Sequence, residues 1–173
     1  MRQVHSIRAG LLLLFCCLFP LQLRAHEIPA SVTILAFARP EGKQLRLLVR
    51  VPLEAMRDVD FPQRAPGYLN FDGLDPLIHN AAMLWIANAV TLYENDRALR
   101  GQVTAVRVSL PSDRAFMTYR TALAHMDGRR HDNSTDLPWQ QAMLDVLIEY
   151  PITSAASNFS IDPKWARLGV RTA

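Results

Sequence analysis

From Ser31 onward the chain falls into short runs of apolar residues separated by turn chemistry. Ser31–Arg39 (SVTILAFAR) is rich in β-branched and aromatic residues, and Pro40-Glu41-Gly42-Lys43 combines a proline-set angle with a permissive glycine. Gln44–Val51 then alternates, with Leu45, Leu47, Val49 and Val51 on one face and Gln44, Arg46 and Arg50 on the other. Two such runs about a turn predict a β-hairpin with one buried face. Pro52–Asp72 holds Pro52, Pro62, Pro66 and Gly67 and reads as a surface connection, with Leu53–Arg57 as a single helical turn.

Asp75-Pro76 is a helix start, an acidic cap followed by proline in the first turn. Leu77, Ile78, Ala81, Leu84, Trp85 and Ile86 then predict a well-buried helix to about Asn88. Val90–Glu94 and Ala98–Leu110 read as strands about Asn95-Asp96-Arg97. Ser112 or Asp113 can cap a helix over Arg114–Met126, with Phe116, Tyr119, Leu123 and Met126 at helical spacing. A strand through Phe116–Arg120 before a shorter helix fits nearly as well. Asp127–Pro138 is a polar loop, and Gln141–Tyr150 alternates up to Pro151 as a strand should. Asn158–Ile161 is a short strand, Asp162–Leu168 a turn or helical turn, and Gly169–Ala173 the start of a further strand. Together these predict a mainly β, antiparallel, β-sandwich-like domain with one or two helices, bordering on α+β.

The first residues follow another pattern. Arg2 and Arg8 precede the apolar run Leu11–Phe19, then come Pro20 and Leu23-Arg24-Ala25 before His26-Glu27. A basic start, a short apolar middle and a small residue at the end predict a secretory signal peptide over 1–25, cut after Ala25. The run is too short to span a bilayer, which takes about 20 residues. Phe15 lacks the small side chain expected before a lipidated Cys16. The mature domain is then 26–173, exported to the periplasm or to the periplasmic face of the inner membrane.

That cut changes the chemistry of the chain. The formal charge of +3 resides in Arg2, Arg8 and Arg24, so the mature domain balances sixteen basic against sixteen acidic residues. A nucleic-acid binder shows a basic face or stripe. Here the basic pair Arg129-Arg130 is mixed with Asp127, Asp132 and Asp136, and no nucleic-acid partner is expected. Cys16 and Cys17 leave with the leader, which removes disulfide, zinc–thiolate and cysteine-nucleophile chemistry together.

Among the remaining candidates, His26 would carry both an imidazole and a free α-amine, a nitrogen pair suited to Cu or Ni. His79, His125 and His131 could supply a further nitrogen, although none stands at ligand spacing with another. His79 can approach Asp75 on the same helix face, His125 suits a helix C-terminus, and His131 belongs to the polar loop. Asp58/Asp60, Asp72/Asp75 and Asp145/Glu149 are the close carboxylate pairs, read as solvated or capping groups, the last on the polar face of a strand. No Gly-x-Ser-x-Gly elbow, phosphate loop or His-Glu-x-x-His helix occurs. A hydrolase is therefore disfavoured and no catalytic residue is assigned.

The order of segments resembles one group of proteins. Ala25-His26-Glu27, the hairpin, Leu47–Pro62 (LLVRVPLEAMRDVDFP), Leu84–Asn95 (LWIANAVTLYEN) and Leu144–Ile152 (LDVLIEYPI) resemble the extracytoplasmic N-terminal region of bacterial HupE/UreJ-type membrane proteins. The resemblance extends over essentially the whole mature chain. It implies further β structure and then a bundle of transmembrane helices that holds the metal-handling motif. No residue here matches that motif, so the resemblance carries no transport role to any residue of this chain. It implies instead a non-catalytic domain, truncated at its C-terminal end, that contacts a transmembrane part, a periplasmic partner or a metal. The competing expectation is a free periplasmic metal-binding protein using His26.

Overall fold

The structure is a computed structural model and describes residues 32–169. The leader 1–25, both cysteines, His26 and the expected strand beyond Gly169 lie outside the described residues. The fold is mainly β, and the described residues form three antiparallel sheets and two α-helices. Strands β1 (Leu35–Glu41), β2 (Gln44–Pro52), β7 (Gln102–Ser109) and β8 (Met143–Pro151) form a four-stranded sheet in the order β1-β2-β8-β7. β3 (Gln63–Arg64) pairs with β4 (Tyr68–Leu69), and β5 (Val90–Glu94) lies between β6 (Arg97–Ala98) and β9 (Phe159–Pro163).

The expected hairpin is present, with a tighter turn than the proline suggests. Glu41 pairs with Gln44 across Gly42-Lys43, and Gly42 at φ 60° supplies the positive angle such a two-residue turn needs. The Asn95-Asp96 turn between β5 and β6 uses two positive φ angles, 49° and 65°, which Asn and Asp tolerate better than most residues. The single strand expected over Ala98–Leu110 is divided between two sheets. Gly101 marks the crossing: a Cβ there would stand 2.4 Å from the Tyr150 ring, so only glycine lets the chain pass over it.

Helix α1 (Leu74–Trp85) starts one residue before the expected cap. Gly73, at φ 70°, is its N-cap, and Asp75 lies within the first turn without capping it. The chain continues as a 3-10 turn over Ala87–Ala89 instead of helix, because Val90 must already be extended to enter β5. Helix α2 (Tyr119–Met126) lies between the two expectations for its stretch. Ala115–Met117 is a 3-10 turn, Thr118 is extended, and Thr118 and Thr121 form a reciprocal capping box that starts α2 afresh.

Two departures from the sequence reading concern burial. The proline-rich 52–72 stretch is no surface connection: Leu53, Met56, Phe61 and Leu69 are among the most buried side chains. They join the main core, where Leu45, Leu47, Val49 and Val51 of β2 and Leu144, Val146 and Ile148 of β8 meet α1. The other face of the sheet, expected to be polar, is covered as well. Leu48 and Leu147 pack there beneath Phe116, Ala122 and Met126, so α2 and the turn before it roof a second, smaller core. Burial on both faces takes Arg50 of β2, Arg107 of β7 and Asp145 of β8 out of water.

Candidate functional site

The roof closes over a row of charges. Arg50 of β2 and Arg107 of β7 stand directly opposite Asp145 of central β8, on the face that α2 covers. Asp145 is fully buried, at 0% exposure, and Arg50 grips it in bidentate fashion, Nε donating to Oδ1 at 2.6 Å and Nη2 to Oδ2 at 2.7 Å. The remaining nitrogen, Nη1, donates to the Asp113 carbonyl at 2.8 Å, and the guanidinium lies 4.3 Å from the centre of the Phe116 ring.

His125 enters from the last turn of α2. Its Nδ1 is 3.6 Å from Asp113 Oδ2, and its Nε2 is 3.0 Å from Asp145 Oδ2 but off the line of a good hydrogen bond. Arg107 ties down the end of the same helix. Its Nη1 donates to the carbonyls of His125 and Gly128, and its Nη2 to that of Arg129, which places a cation at the negative end of the helix and on the chain just past it.

The electrostatics favour a fixed charge pair. Burial pushes the Asp145 carboxyl up, but the Arg50 hydrogen bonds, helped by His125 and Ser109, outweigh it and hold the group below the ordinary carboxylate range. Burial, and then the charge of Arg130, lower Arg107. A carboxylate so held is a weak base. Ser109, His125 and Asp145 are the residue types of a nucleophilic triad, yet the buried Ser109 hydroxyl has no hydrogen-bond partner among the described residues, so no histidine is placed to take its proton. Ser109 is also 0% exposed, out of reach of any substrate. The cluster is a clasp that holds α2 onto the sheet.

A second charged centre performs a similar task elsewhere. Glu94, at the end of β5, accepts hydrogen bonds from the backbone N–H groups of Thr153 and Ser154 and from the hydroxyls of Thr153 and Ser157. Burial alone would raise this carboxyl, but those donors hold it down at about 2, from an ordinary 4.5. The folded-state value is the lower one, so the stabilisation is complete above about 4.5 and fades as pH falls toward 2. Glu94→Gln is therefore expected to reduce the pH dependence of the urea midpoint between those limits, while the depressed Asp145 and Asp132 keep part of the slope.

An open cleft of about 250 Å³ lies at the N-terminus of α1, floored by Leu74, Ile78, Val106 and Val108. Asp72, Asp75, Arg130 and Asp132 stand at its rim. Asp75 is ion-paired with Arg130, and so joins the helix to the 127–138 loop instead of meeting His79. Hydrogen bonds from the Ser134 hydroxyl and N–H lower the Asp132 carboxyl.

The other sequence candidates are scattered. His79 is on the exposed side of α1, and His131 is half-buried with its ring 6.3 Å from that of Phe71. Asp58 pairs with Arg167 at 2.9 Å, and Glu149 with Arg46 at 2.9 Å. The reading of Asp145 as a solvated strand carboxylate is corrected, since α2 covers it. Arg50 and Arg107 were not recognised as functional positions; the signal was Leu48 and Leu147, apolar residues on the nominally polar face. Among the described residues no three His, Cys, Asp or Glu side chains gather as a metal site, and no helix is long and apolar enough to cross a membrane. No protein-family model, curated protein or solved structure matches the chain.

Proposed function

We propose that this chain is the exported, non-catalytic domain of a HupE/UreJ-like membrane protein, and that its work is to contact a partner. The observation that carries the reading is the order of segments behind the export leader: Leu47–Pro62, Leu84–Asn95 and Leu144–Ile152 in their places along the chain. Those stretches are also framework, since they include much of β2, β5 and β8. A scaffold built from them with its interior charges committed to one another suits a binding role better than a reactive one. The partner is the transmembrane part of a full-length relative or a periplasmic protein, with a metal in transit as the remaining option.

The experiment is expression with the native leader, followed by cell fractionation and determination of the product's first residue, together with the reading frame beyond Ala173. The expected result is a periplasmic product beginning at His26 and a frame encoding further β structure and hydrophobic helices. A cytoplasmic, uncut product would sink the export reading, and a frame without such helices the membrane-protein reading.

A further inference from the structure

The cleft beside α1 opens on the edge of the main sheet, and the parity of the ladder identifies what it exposes. A two-residue hairpin is closed by a hydrogen-bonded pair, here Glu41 and Gln44, so even-numbered residues of β2 bond to β1 and odd-numbered ones to β8. The partners of Leu45, Leu47, Val49 and Val51 on β8 are Tyr150, Ile148, Val146 and Leu144, which leaves Leu147, Asp145 and Met143 to bond β7. Their β7 partners are Ala105, Arg107 and Ser109. Val106 and Val108 therefore turn their N–H and C=O groups outward, away from the sheet.

Those outward groups need partners. β7 is the last strand of its sheet, and among the described residues no hydrogen bond reaches the backbone of Val106 or Val108 from any other segment. Both residues are buried, so bulk water reaches them poorly, and unpaired main-chain groups in such a place are costly. The cleft is lined by Val106, Arg107 and Val108 together. Successive strand residues face opposite ways, so a cleft touching all three must lie against the strand edge.

We infer that this edge accepts an extended segment of a partner protein as a fifth strand, with a small apolar side chain entering between Leu74 and Ile78 and basic side chains at the rim. The charge of the rim selects the sign. Asp75 is paired with Arg130 and Asp132 lies 3.9 Å from Arg129, while the Arg107 guanidinium is held by the carbonyls of His125, Gly128 and Arg129, so one rim carboxylate, Asp72, is left over. Asp72 has no ion-pair partner among the described residues. The Asp75–Arg130 pair joins the two flanks of the cleft and guards the edge when it is unoccupied, in the way charged residues protect other edge strands. Strand addition supplies main-chain hydrogen bonds for affinity and side-chain pockets for selectivity. The inference gives the partner-contacting reading a surface, and takes only its biological setting from that reading.

The test uses the full chain as processed by the cell and two short peptides, one alternating valine with lysine and one alternating valine with glutamate. Binding of the lysine peptide is expected to be about tenfold tighter, and to slow amide exchange at Val106 and Val108 about tenfold. Val108→Pro removes an outward N–H without touching the β8 ladder, and should abolish binding while exchange protection in β8 persists. Should that variant fail to fold, Asp72→Lys with Asp132→Lys is expected to reverse the peptide preference. Unchanged exchange at both valines, equal binding of the two peptides, or self-association of the chain through β7 would each overturn the inference. Export and the downstream reading frame are read independently, so failure here leaves those results standing.

Discussion

Asp145→Leu is expected to lower folding stability by about 3–5 kcal/mol, the loss typical when one member of a buried ion pair is removed. The substitution roughly conserves volume, so little of that loss comes from a cavity. It comes from Arg50, which would keep its charge beneath Phe116 with only the Asp113 carbonyl and, at 3.8 Å, the Asp113 carboxylate as partners. Typical domains hold about 5–15 kcal/mol in total, so the variant would stand near the limit of folding at 25 °C. A urea titration of the parent and the variant measures the shift. A loss below about 1 kcal/mol would mean that Asp145 is solvated, as its alternating sequence position first implied.

The second large effect is expected at the roof. Phe116 packs over Arg50 and meets the Phe37 ring at 6.2 Å, and its small core includes Leu48, Ala122, Met126 and Leu147. Phe116→Ala is expected to cost about 3–5 kcal/mol, as removal of a buried aromatic side chain generally does. The loss should be local. The main core lies on the opposite face of the sheet and contains no residue of α2. Amides of Ala122–Met126 should therefore lose exchange protection before those of β2 and β8. Equal loss in the helix and the sheet would show that the two faces unfold as one unit.

The architecture was largely legible because its signals are local. Gly42 and Asn95-Asp96 sit where tight turns demand positive φ, and alternation in β2 and β8 identified the inner face. The sheet switch at Gly101 was hidden, since its cause is the Tyr150 ring, far along the chain. The clasp was hidden for a related reason. Alternation reports that Arg50 and Asp145 share a face with their charged neighbours, but not what covers that face. LRLLVRV and LDVLIEY carry apolar residues at both parities, the mark of a strand buried on two sides. That mark was outweighed by the arginines, aspartate and glutamate interleaved with it. The edge cleft depends on ladder parity and strand order, which no local pattern specifies.

A double-mutant cycle reads directly whether the buried charges form a structural clasp. Arg50→Met, Asp145→Leu and the combined variant would be compared by urea unfolding. Each single change is expected to cost about 3–5 kcal/mol, and the combined variant to lie within about 1–2 kcal/mol of the parent, because replacing both charges with apolar groups leaves neither stranded. Losses that simply add, with the combined variant the least stable of the three, would contradict the clasp.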